Sequence, residues 1–128
     1  MIPIRDDTPR FSTPVVTYFI ILLNSLVWIY EWLIQVQSPA ALESLVYQFG
    51  VVPRQETAIL SGGTHVSPAV AIVPILTSMF MHAGWLHVIG NMWFLWIFGD
   101  NIEDYLGHFV YIVFYLLSGL AAAIAHIL

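Results

Sequence analysis

Three stretches of this chain are apolar over enough residues to leave water altogether, and that decides most of what it can fold into. Val15 to Val36 carries one charge, Glu31, near its far end, while Pro74 to Gly99 and Phe109 to Leu128 carry none. A helix needs about 20 predominantly apolar residues to cross the hydrocarbon core of a bilayer, and each stretch suffices. The composition agrees: 59% of the residues are hydrophobic and only 9% charged, too little polar surface to cover a water-soluble globule. The sequence predicts an all-α, polytopic helical bundle in a membrane.

The spans divide the chain into a cytosolic N-terminus (1–14), a first transmembrane helix (15–36), an external loop (37–73), a second helix (74–99), a cytosolic turn (100–108) and a third helix (109–128). Arg5 and Arg10 precede the first span, so the positive-inside tendency puts the N-terminus in the cytosol. That span is longer than the core of a signal peptide and lacks a small-residue cleavage pattern, which makes it a retained anchor. A formal charge of -5 with no lysine offers no basic face for nucleic acid; the lipid bilayer is the expected surrounding. The absence of cysteine excludes disulfides, thiolate zinc sites and a cysteine nucleophile. The chain stops where the third helix would leave the membrane, without a polar tail, and the expectation is the front part of a longer protein.

Within the loop, Leu42, Leu45, Val46 and Phe49 recur at spacings of three and four, one apolar face of a helix lying along the membrane surface. Gly50 supplies a stop and Pro53 forbids continuation. The segment Ser61 to Pro68 is turn-rich, and His65 within it reads as an ordinary exposed histidine.

Polar residues inside the second span need a reason, because a polar side chain facing lipid is costly. His87 and Asn91 are four apart and share a helix face, with Gly84 a turn earlier. Gly84 and Gly90 would admit a neighbouring backbone, and Gly119 with Ala123 forms a small-xxx-small pair for close helix packing. Three explanations suit His87 and Asn91: hydrogen bonds between helices, a metal or haem site, or donors aimed at a developing negative charge. His82 and His87 are five apart and diverge around a helix, no HExxH pair exists, and no carboxylate lies nearby on the span, so no metal or other cofactor is expected. Position alone does not choose between the other two.

The stretch "LTSMFMHAGWLHVIGNMWFLWIFGDNIEDYLGH", continued by "FVYIVFYLLSGLAAAIAH", resembles the second and third transmembrane helices of the rhomboid family of intramembrane serine proteases. "FGVVP" (Phe49 to Pro53) is similar to part of that family's first external loop. The most specific part is H-x(4)-H-x(3)-N followed by G-x(3)-E-D-x(2)-G, filled by His82, His87, Asn91, Gly99, Glu103, Asp104 and Gly107. The resemblance implies a rhomboid-like fold with three of six helices present. It implies that His87 and Asn91 bind the oxyanion of the tetrahedral intermediate, that His82 braces the external loop, and that Glu103 makes a bracing contact between helices.

Asp100 stands at capping-box spacing from Glu103 and can satisfy amides at a helix start. Gly107 can end the turn in a left-handed conformation, and Asp104 is expected to be solvated. In the family a serine in a GxSG motif on the fourth helix attacks the peptide carbonyl and a histidine on the sixth takes its proton. None of the eight serines here stands in GxSG; "LLSG" around Ser118 lacks the first glycine and sits mid-helix. Two functions follow. One is the N-terminal portion of a rhomboid endopeptidase for transmembrane protein substrates, inactive without the C-terminal helices of the same fold. The other is a non-catalytic rhomboid-like adaptor that binds transmembrane helices.

Overall fold

A computed structural model describes residues 7–62, 67 and 69–128. His65 and Arg5 lie outside the described residues. Among the described residues, seven α-helices run in order: α1 (Val15–Gln37), α2 (Pro39–Phe49), α3 (Pro53–Leu60), α4 (Ala69–Thr77), α5 (Trp85–Phe94), α6 (Asp100–Leu106) and α7 (His108–Ile127). A 3-10 turn (Ser78–Phe80) extends α4, and a π turn (Leu95–Gly99) joins α5 to α6. The described residues are all helical or irregular, a helical membrane bundle.

α1 and α7 are single helices long and apolar enough to cross a membrane. The second span differs from a continuous helix over 74–99. It consists of an arm, Ile72–Phe80, and a longer helical run, Trp85–Leu106, that meet at 80° across a four-residue break. Pro74 sits inside α4 and does not end it. The helical run continues through the π turn into α6, so Asp100 follows helical backbone and does not stand at a free helix start. The loop also holds more structure than one interfacial helix. Ser38 caps α2 by accepting from the Ala41 amide at 3.3 Å, Gly50 ends α2 in an extended conformation, and Pro53, which cannot continue a helix, opens the next one at its first turn. On α2, Leu42 and Leu45 are half-buried and Val46 and Phe49 exposed.

Burial on α1 is inverted relative to a soluble helix. Its buried residues are Thr17, Ile20, Asn24, Trp28 and Glu31, so the polar members recur every seven residues along the inner stripe. Phe19, Leu22, Leu26 and Leu33 point outward. Lipid accepts apolar side chains, and the bundle interior accepts polar ones. Opposite the stripe, Gly99 lets three helices close up: a Cβ there would meet Thr17 Cγ2 and Tyr111 Oη, both at 2.9 Å. Gly119 packs under Met79 of the 3-10 turn, whose side chain an added Cβ would overlap, and Ala123 a turn later is buried. Gly84 and Gly90 have open space beside them, so neither mediates a close backbone approach.

Candidate functional site

At the start of α1 the proline at the cap position offers no side-chain acceptor, leaving free amides that need one. Glu103 supplies it from α6. Its carboxylate accepts from the Val16 amide (2.9 Å), the Thr17 amide (2.7 Å) and the Thr17 hydroxyl (2.6 Å), and pairs with His108 Nδ1. A fully buried carboxylate against a helix N-terminus is also favoured by the helix dipole. Burial pushes this carboxyl up, but the bonds from Thr17, Val16 and His108 prevail and hold it below its ordinary range. Glu103 therefore ties α6 to α1.

Asp104 is bound rather than merely solvated. It accepts from the Phe11 amide (3.0 Å), the Ser12 amide (2.8 Å) and the Ser12 hydroxyl (2.6 Å), fastening the chain just before α1. Asp100, instead of capping a helix, accepts from the next amide and lies 3.5 Å from Arg10. Gly107 has φ +80°, the left-handed turn between α6 and α7 that L side chains resist.

On the opposite side of the bundle the arm, the break and α7 border an open cavity of about 590 Å³. Glu31, His82, His87, Ser118, Gly119 and His126 are among its lining residues, together with the end of α2. An apolar groove of about 600 Å³ between α1 and α5, lined by Trp28, Trp85, Trp93 and Trp96, holds no titratable group and offers little chemistry. His82 is buried, its Nδ1 3.1 Å from the Phe80 carbonyl and its amide donating to Glu31 Oε2 at 3.2 Å. These bonds run within the bundle. The link from bundle to loop comes instead from Thr77, whose hydroxyl lies 2.5 Å from the Phe49 carbonyl at the end of α2.

His87 is exposed on α5 and borders the cavity. Its Nδ1 accepts from the Ala83 amide at 3.4 Å, so in the neutral ring the proton sits on Nε2, free to donate. The His82 and His87 rings meet edge to face with centroids 5.2 Å apart. Asn91 is also exposed, one turn further along the same helix face. The structure thus brings His82 and His87 together at the cavity, while Asn91 is not among its lining residues. Ser118 donates its hydroxyl to the Phe114 carbonyl at 2.8 Å, a bond within its own helix. Among the described residues, no group of three or more His, Asp or Glu side chains is placed to hold a metal ion.

Residues 70–128, which contain the break, the three cavity histidines and all of α7, match the family model of the Rhomboid domain. Over this segment the chain is similar to the rhomboid family. A curated relative, the chloroplastic rhomboid-like protein 11 of Arabidopsis thaliana, is 40% identical over 47 residues, which cover 37% of this chain and 17% of that protein. The match is therefore to a small part of a much longer rhomboid relative. No solved structure matches the chain.

Sequence reasoning passed over Glu31 as a charge near a helix end and Asp104 as a solvated acid. The signal for Glu31 was present in the seven-residue recurrence of Thr17, Asn24 and Glu31, two helical turns apart each time. For Asp104 no local pattern exists, because its partners lie 92 and 93 residues away.

Proposed function

We propose that this chain supplies the oxyanion-binding side of a rhomboid intramembrane serine endopeptidase acting on transmembrane protein substrates. The observation that carries the reading is His87, whose Nε2–H is left free to donate at the edge of a cavity between the broken second span and α7. Asn91, on the same face, is the second donor. An oxyanion site works by presenting fixed donors where negative charge develops, and losing one typically costs about 3 kcal/mol, a hundredfold or more in rate. The nucleophilic serine and its histidine base come from sequence beyond these 128 residues, and the chain by itself hydrolyses nothing. The N-terminus faces the cytosol, and the α2–α3 loop the opposite side.

The test is a polypeptide containing this chain followed by its downstream coding sequence. A GxSG segment and a further histidine-bearing helix are expected there; His87→Ala and Asn91→Ala should each lower cleavage of a transmembrane substrate about a hundredfold. Full turnover in the double variant would defeat the reading. A fluorophosphonate probe, which reacts with activated serines, should leave the 128-residue chain unlabelled. The reading as a non-catalytic adaptor draws on one observation, the Ser118 hydroxyl engaged by its own helix, and downstream sequence without GxSG would favour it.

A further inference from the structure

Glu31 is the one charged residue of the first span, and it is only 3% exposed on the inner stripe of α1. An ionisable group at that depth is costly to keep and by default marks a working part. Its carboxylate reaches the break between α4 and α5. There, three successive amides lie outside regular helix, and each has a different acceptor. Met81 donates to the Ser78 carbonyl (3.2 Å), His82 to Glu31 Oε2 (3.2 Å) and Ala83 to His87 Nδ1 (3.4 Å). Of these, the His82 bond alone comes from another helix. Indole contacts flank it, since Trp28 and Trp32, on the same face of α1, meet Trp85 at 5.4 and 6.0 Å. Open space beside Gly84 means that packing does not prop the break on that side.

We propose that Glu31 is a positioning residue for His87: by holding the His82 amide it fixes the break between the two arms of the second span, and so sets the ring orientation and tautomer of His87 at the cavity. The link has two steps. Fixing His82 sets its ring, whose Nδ1 donates to the Phe80 carbonyl, and that ring packs edge to face on His87. Fixing the break also presents the Ala83 amide to His87 Nδ1, which keeps the ring proton on Nε2. The role needs an acceptor oxygen and not a charge, so glutamine should replace glutamate where leucine cannot.

The catalytic meaning of this device rests on His87 being an oxyanion donor, but the device itself can be tested without turnover. The chain is labelled with 15N-histidine and placed in lipid bicelles. The His87 ring should show a single Nε2–H tautomer in the unmodified protein and in Glu31→Gln, and a mixture of tautomers in Glu31→Leu. Unchanged His87 ring signals in Glu31→Leu would overturn the proposal. Should Glu31→Leu fail to fold, the unmodified chain decides: strong dipolar coupling between Glu31 13Cδ and the His82 amide 15N supports the contact, and its absence overturns it. A positive result here, combined with full turnover of His87→Ala in the longer polypeptide, would refute the oxyanion role and leave the positioning intact.

Discussion

Glu103 and Asp104 are neighbours with different tasks, and their physics predicts different losses. Glu103 is buried with three donors from α1 aimed at it, so Glu103→Ala leaves buried amides unsatisfied and should cost about 1–3 kcal/mol. Detergent-resistant unfolding monitored by circular dichroism would measure it, with Glu103→Gln, which keeps acceptor oxygen, losing less. Asp104 is more open, and its effect shows in pH. The Ser12 hydroxyl and the Phe11 amide stabilise its charged form and hold its carboxyl below the ordinary range. A lowered folded value means the stabilisation is complete above the unfolded Asp range and disappears as pH falls through the folded value. Acid titration should therefore loosen the segment before α1 in the native chain, while Asp104→Asn should show a weaker pH dependence there. Spacing suggested a local capping box for Asp100 and Glu103. The real cap acts across 86 residues, and its one sequence trace is negative: Pro14 opens α1 with no side chain able to accept.

Among the elements, α1 and α7 were legible because an unbroken apolar run needs no tertiary help to be read as a spanning helix. The second span was not. Its hydropathy is continuous, while the break at 81–84 is held by an acceptor from α1 and by a ring nitrogen one turn ahead, which no periodicity reports. α3 escaped notice because its polar first turn, with Arg54 and Glu56, resembles a loop. The small pair Gly119 and Ala123 was legible, but the group packed against Gly119 proved to be the Met79 side chain and not another backbone. In Gly119→Leu the new side chain occupies the place of Met79, and moving the terminal methyl alone is not enough, since Met79 Cγ also lies 2.8 Å from the added Cβ. Overpacking of this kind costs about 1–3 kcal/mol. Met79→Ala should restore part of the loss in a double-mutant cycle of unfolding free energies. Strict additivity of the two substitutions would show that the 3-10 turn does not rest on α7.

For the whole molecule, the fold separates two ends. Glu103, Asp104 and Arg10 gather with the start of α1, while the cavity and α2 gather with its far end; with the bent pair counted as one span, the proposed topology has three crossings and puts the α2–α3 loop and the α6–α7 turn on opposite faces of the bilayer. The chain lacks cysteine, so single cysteines can report each face without background. Tyr105 is 90% exposed in the turn, and Gln48 is exposed near the end of α2. In sealed cells, a membrane-impermeant maleimide should label Gln48→Cys directly and Tyr105→Cys only after permeabilisation. The reverse pattern would keep the three-span architecture but invert it, showing that Arg5 and Arg10 do not set the orientation. Labelling of both cysteines from one side would contradict the arrangement itself, because the 80° break would then make the arm and the Trp85–Leu106 run a re-entrant pair and not a crossing. Such a pair would return α7 to the face from which α1 left.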